Sequence, residues 1–388
     1  MNQEVKVQIQ PEALTREFIS SRVDRNGPDA ERLTATIAMP IVRKGPETRQ
    51  NPIRLKSCLK RASDHLRSLG ADETWTESLA GIELSADQWR ELQRHSAACL
   101  LADRDESHLV GIPHSWPEAV WVGKSPWLRP LIQSWMSPSE AAILCLTLEE
   151  AWLLQVTADA VWEEKADALP MTLEEAVGGD LDQPSLQHHG AGQQTRFHGQ
   201  AINQDDRDAD LDRFFQAVDA ALDATLQTHE RLANMPLIVA GTEEVLARFE
   251  RISSRQFSDR IAGSPPRDRH EDLASTARNS MRERRISKAA SRVAAWRELD
   301  NGSMSITELA GAAYDGRVEE LVVIGPKPVW GRVTRELDVE THGERRDESI
   351  DLIDFALRHA WKTGAKVMAV NGNPEQLADL QLAGLLRY

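Results

Sequence analysis

SITELAGAAYDGRVEELVVIG, residues 305–325, decides the fold. SITELAGAAYDGR reads as a helix, and VEELVVIG (318–325) as a buried strand that follows it directly. The alternation continues to the end of the sequence. SIDLIDFALRHAWKTGA (349–365) is a second helix, KVMAVNG (366–372) a strand and AGLLRY (383–388) a closing strand. Helices alternating with strands over fewer than a hundred residues predict a compact α/β/α sandwich.

Upstream, RDRHEDLASTARNSMRERRISKAASRVAAWRELD (267–300) predicts a long helix rich in arginine. PLIVAG (236–241) is a short apolar run suited to a buried strand, and TEEVLARFERIS follows it as a helix capped by Thr242. This strand–glycine–helix step implies a parallel component. Residues 207–232 form an amphipathic helix with Leu211, Phe214, Phe215, Val218, Leu222 and Leu226 on one face. AAILCLTLEEAWLLQVTADAVWEEK (141–165) predicts a β-hairpin turning at LEE. Further upstream come a strand (32–42), a helix ending on Gly70, a short helix capped by Ser85, and two strands around DRDES. WPEAVWVGKSPWLRPLI (116–132) brings Trp116, Trp121 and Trp127 together, with Trp135 close behind. Such large aromatics serve core packing more often than base stacking.

The whole is expected to be α/β and α+β in three domains: 1–137, 138–300 and 301–388. The chain has 388 residues, 41% hydrophobic and 28% charged, an ordinary globular composition. A net charge of −15 argues against sequence-independent binding to bare duplex DNA, but leaves room for a local basic patch on structured RNA. Cys58, Cys99 and Cys145 have no metal-ligand spacing and read as buried thiols. The polar MNQEVKVQIQ lacks a signal-peptide core, and the most apolar run is broken by Glu149 and Glu150. The expectation is a cytoplasmic protein with no membrane partner, no metal and no cofactor. GxSxG, GxxxxGK[ST] and HExxH are all missing, so conventional catalytic chemistry has no motif here.

AGAAYDGRVEELVVIG, TGAKVMAVNG and the terminal AGLLRY together resemble the last domain of archaeo-eukaryotic class-1 release factors and Pelota. More specifically, they resemble the bacterial archaeo-eukaryotic release factor family, third group. PSLQHH, RFHGQ, DADLDRFFQAVDAAL and PLIVAG follow the family's order in the middle of the chain, and WPEAVWVGKSPWLRPLI fits more loosely. The resemblance implies a last domain akin to kink-turn-binding ribosomal proteins. It also implies a loop that reaches the tRNA acceptor end in the ribosome.

Residues 188–200, HHGAGQQTRFHGQ, stand where release factors carry a Gly-Gly-Gln loop. Glycines there permit positive φ and close backbone approach, and a backbone N–H can stabilise a developing oxyanion. Two pairs are candidates: Gly192 with Gln193, and Gly199 with Gln200. Each lacks the first glycine, being preceded by Ala191 or His198, where positive φ costs about 1 kcal/mol or more. Nor is there a counterpart of the stop-codon-reading NIKS motif. The implied role is therefore ribosome occupancy, in hibernation or rescue, rather than termination; residual peptidyl-tRNA hydrolysis stands or falls with the backbone conformation at Gly192 or Gly199.

Arg282, Arg284, Arg285, Lys288 and Arg292 form the most basic stretch, either a solvated helix face or a surface for ribosomal RNA. His188-His189 reads as a polar loop rather than a metal site, and the acids from Asp205 to Asp212 as complements of a helix start. The other reading is a stress-related protein-interaction module that kept the release-factor architecture.

Overall fold

The computed structural model describes residues 7–9, 16–25, 33–136, 140–157, 160–165, 168–178, 199–334, 338–346, 349–372 and 374–388. Two compact units emerge. One joins Met1–Pro138 to Arg282–Tyr388, and the other is Ser139–Met281.

The first part of the first unit holds β1 (Val7–Ile9), α1 (Arg16–Arg25), β2 (Thr34–Pro40) and α2 (Gln50–Ser68). Next come α3 (Glu73–Ala80), α4 (Ala86–Leu92), β3 (Ala97–Ala102), β4 (Ser107–Ile112), β5 (Ala119–Gly123) and α5 (Arg129–Trp135). The strands form one sheet in the order β1-β4-β3-β2-β5, antiparallel except for β1 against β4. Local chemistry sets the helix ends. The Ser85 hydroxyl and the Gln88 side chain cap α4 reciprocally, and Gly70 follows α2 at φ +82°. Alternation along the strands loads both faces. Ile37, Leu100 and Leu109 pack under Leu55, Leu59 and Leu66 of α2, while Cys99, Leu101 and Val110 face the opposite layer.

The second unit holds β6 (Ala141–Leu146), β7 (Glu150–Val156), β8 (Val161–Glu164), β9 (Met171–Thr172), α6 (Leu173–Val177) and α7 (Gly199–Thr228). It continues through α8 (Glu230–Ala233), β10 (Leu237–Gly241), α9 (Glu243–Ile252), β11 (Asp259–Ala262) and the start of α10 (His270–Arg297). The expected hairpin is β6–β7, with Thr147 holding the turn through Glu150. β10 runs parallel to β6 and to β11, giving the order β11-β10-β6-β7-β8. α7 and α9 cover one face through Phe214, Phe215, Val218, Leu222 and Phe249; Leu273, Ala274 and Ala277 of α10 cover the other.

The last part of the first unit contains residues 282–297 of α10, then β12 (Gly302–Ser303), α11 (Ile306–Tyr314) and β13 (Val318–Ile324). A small sheet follows from β14 (Trp330–Val333), β15 (Val339–Thr341) and β16 (Ile350–Asp351). α12 (Leu352–Lys362), β17 (Lys366–Val370) and β18 (Leu382–Leu386) complete it. The main sheet runs β12-β18-β13-β17, with β13 and β17 parallel. α11 and α12 cover one face; Ala289, Val293 and Trp296 of α10 cover the other. This is the α/β/α sandwich that the sequence predicts. α11, α12 and β13 share one continuous apolar cluster with β3, β4 and α5, so the first and last sequence segments are packed as one body.

Candidate functional site

α7 is the element that carries the Gly/Gln segment into the second unit. Its apolar face is wholly buried at Phe214, Phe215, Val218 and Leu222. Its acidic face is tied to α9 and the loop after it. Arg248 bridges Asp212 (2.6 Å) and Asp208 (2.7 Å), and these two carboxylates raise its pKa further, Asp212 foremost. Ser253 Oγ donates to Asp219 at 2.6 Å, and Arg255 pairs with Asp223. The acid-rich start of this helix is thus spent partly on guanidinium partners. Among the described residues, no cluster of three or more metal-ligating side chains exists.

On the other side of the Gly/Gln segment, α6 is capped by Thr172 and Glu175 and stops at Gly178 in the left-handed region (φ 71°). α6 packs against α7, so both flanks of the segment are anchored to the same body. His188, His189, Gly192 and Gln193 lie outside the described residues. Gly199 and Gln200 open α7, with helical backbone. A glycine committed to a helix turn is not free to present its backbone as a loop tip does.

Of the five basic candidates on α10, Arg282, Arg284 and Lys288 are exposed and have no carboxylate partner among the described residues. Arg292 is half-buried and paired with Glu320 of β13, which also takes Lys366 at 3.5 Å. Arg285 is half-buried, and burial lowers its guanidinium pKa. The structure therefore presents three of the five to solvent.

The tryptophan-rich segment is structural. Trp116 and Trp127 meet edge to face with centroids 6.0 Å apart, and Trp121 stacks on Trp330 beneath the Arg345 guanidinium. Trp135 stays 39% exposed. What sequence reading missed is the polar knot beside these rings. Arg129, fully buried, donates to Asp351 (3.1 Å), Gln133 (3.1 Å), the Lys327 carbonyl (2.9 Å) and the Gly325 carbonyl (2.6 Å). Trp127 Nε1 donates to the same Asp351 oxygen at 3.0 Å. Asp354 accepts the Leu128 and Arg129 amides at 2.9 and 2.6 Å and pairs with Arg358 at 2.9 Å. Burial pushes the Asp354 carboxyl up to about 6, against the pull of Arg358. The one available signal was an arginine at the start of an otherwise apolar run, WLRPLI.

Residues 142–317 match the model of bacterial archaeo-eukaryotic release factor family 3, the family that the sequence resembles. No curated protein matches the chain. Among solved structures, archaeal Pelota in a model of the ribosome-bound complex with ABCE1 is similar at 13% identity and TM-score 0.39, covering 97% of this chain and 95% of that one. Archaeoglobus fulgidus Pelota is similar at 16% identity and TM-score 0.35, over 75% of this chain and 79% of that one. S. cerevisiae Dom34 is similar at 9% identity and TM-score 0.38, over 70% and 74%. The release-factor family match supports a translation-related role. No helix among the described residues is long and apolar enough to cross a membrane.

Proposed function

We propose that this protein is a ribosome-associated factor of release-factor and Pelota type that occupies the ribosome in hibernation or rescue and does not terminate translation. The observation that carries this reading is the family match over residues 142–317, a range that encloses the Gly/Gln segment, which the resemblance sets against the Gly-Gly-Gln loop of release factors. Both Gly-Gln pairs lack the preceding glycine, which argues against efficient peptidyl-tRNA hydrolysis. Since Gly199 and Gln200 belong to α7, Gly192 and Gln193 are the pair that would approach a tRNA acceptor end. Arg282, Arg284 and Lys288 would contact ribosomal RNA, with Arg285 and Arg292 acting chiefly within the fold. In this reading the chain has three domains, 1–137, 138–300 and 301–388, the first two with one sheet each and the last with two.

The test is binding of the purified protein to vacant ribosomes, followed by a peptidyl-tRNA release assay on the bound complex. Binding without release is expected. Release at a rate comparable with that of a termination factor, or no binding at all, overturns the reading. The net charge of −15 favours the other reading, a protein-interaction module without a ribosomal role, and failure to bind would move the assignment there.

A further inference from the structure

β13 and β17 are neighbouring parallel strands, and the crevice beyond the carboxyl ends of such strands is where open α/β sheets take ligands. Both strands end in a glycine at positive φ: Gly325 at +63° and Gly372 at +85°. The two turns touch, since a Cβ on Gly325 would lie 3.0 Å from the Gly372 carbonyl oxygen. Gly325 forms the buried floor, held from beneath by Arg129 and by Gln133 Nε2 (3.0 Å), both fully buried. Gly372 is the exposed rim. A Cβ there would meet Arg282 Nη2 at 3.4 Å, so the guanidinium lies directly over a residue with no side chain.

Two donors lie by this rim with no acceptor of their own among the described residues. Arg282 has no carboxylate partner among the described residues, although the chain carries more acid than base. Asn371 Nδ2, which precedes Gly372 in sequence, is buried and has no hydrogen-bond partner among the described residues. A buried amide donor without a partner costs free energy unless a ligand supplies the acceptor. Glycine backbone, a guanidinium that no carboxylate pairs with among the described residues, and an amide donor form a set that suits a tetrahedral oxyanion.

We propose that Gly372, Asn371 and Arg282 form a phosphate site at the ends of β13 and β17, and that it seats a phosphodiester of ribosomal RNA. This rests on the ribosome-binding reading above and names one contact within it. Arg282 then differs from Arg284 and Lys288: it is a positioned ligand of one phosphate rather than part of a diffuse basic face.

The experiment measures ribosome affinity of the full chain across a salt series for wild type, Arg282→Ala, Asn371→Ala and Asn371→Asp. Arg282→Ala should lower the slope of log K against log salt by about one. Asn371→Ala should weaken binding about fivefold with the slope unchanged, the effect of losing one neutral donor. Asn371→Asp, which keeps the side chain's size and adds a negative charge, should weaken it further. Unchanged thermal melting separates these losses from misfolding, and for any variant that misfolds the other two carry the test. If wild type binds and both Asn371 variants bind equally well, the site is wrong while the ribosomal reading stands. If wild type does not bind, the reading itself fails. Inorganic phosphate, titrated while the Gly325 and Gly372 amide resonances are observed, distinguishes the sources of phosphate. Weak millimolar shifts lost in Arg282→Ala support the site. Tight saturation by free phosphate, with ribosome affinity untouched in the variants, overturns the RNA assignment.

Discussion

Arg129 engages every guanidinium nitrogen: Nε with Gln133, Nη1 with Lys327 and Asp351, and Nη2 with Gly325. Arg129→Ala would leave the Asp351 carboxylate buried without its cation and two carbonyls without this donor, at a cost of about 3–5 kcal/mol. Arg129→Lys should recover only part, because an ammonium cannot reach the same forked acceptors. Urea unfolding midpoints check both. A second residue-scale prediction concerns pH. Burial raises the Asp354 pKa to about 6, so its protonated form suits the fold; that contribution is complete below its ordinary value near 4 and lost as pH rises through 6. His359, packed on Phe355 and Tyr314 beside Arg358 and Lys362, is lowered to about 4, chiefly by burial. Its contribution is present above its ordinary value near 6.5 and lost as pH falls through 4. The two oppose each other between pH 4 and 6.5. Asp354→Asn should therefore melt lower at pH 4.5 than at pH 7 by more than wild type does, and His359→Gln should shift the opposite way. Melting curves at the two pH values decide it. Sequence reading located Ser85, Thr242 and Gly70 because capping depends on residues three or four positions apart. The roles of Asp351 and Asp354 in the knot were invisible to it, since their partners at Trp127, Leu128 and Arg129 lie more than 200 positions away.

The helices and strands with sustained apolar periodicity were legible: α2, α7, the β6–β7 hairpin, β10, α9, α11, β13, α12, β17 and β18 all lie where the pattern places them. The small sheet of β14, β15 and β16 was not, because strands of two to four residues in a polar stretch give no period to read. α10 was legible as a helix but not in its charge. That Arg292 is neutralised depends on Glu320, which reaches it from β13. α7 yields an energetic prediction. Phe214 is fully buried against Phe215, 5.2 Å away between centroids, and Phe214→Ala should destabilise the second unit by about 3–4 kcal/mol. Because α7 also carries the exit of the Gly/Gln segment, the variant should lose ribosome binding at temperatures where wild type keeps it. Chemical denaturation and binding at two temperatures measure the two effects.

Over the whole molecule, the chain's order does not give the order of packing. The sequence suggests three successive segments, yet the first and last share one apolar cluster and the Arg129 knot, while Ser139–Met281 forms the other unit. Calorimetry should accordingly resolve two transitions, with Arg129→Ala lowering one and Phe214→Ala the other; a single transition lowered equally by both would contradict the division. The family match lies across both units, and the translation-related reading rests on it together with the altered Gly/Gln segment. The most direct test of the central claim is co-sedimentation with vacant 70S ribosomes at low and moderate salt, comparing wild type with the double variant Arg284→Glu, Lys288→Glu. Wild type should pellet with ribosomes in a salt-sensitive manner, and the double variant should stay in the supernatant. Wild type that remains in the supernatant at both salts, beside intact ribosomes, would contradict the account.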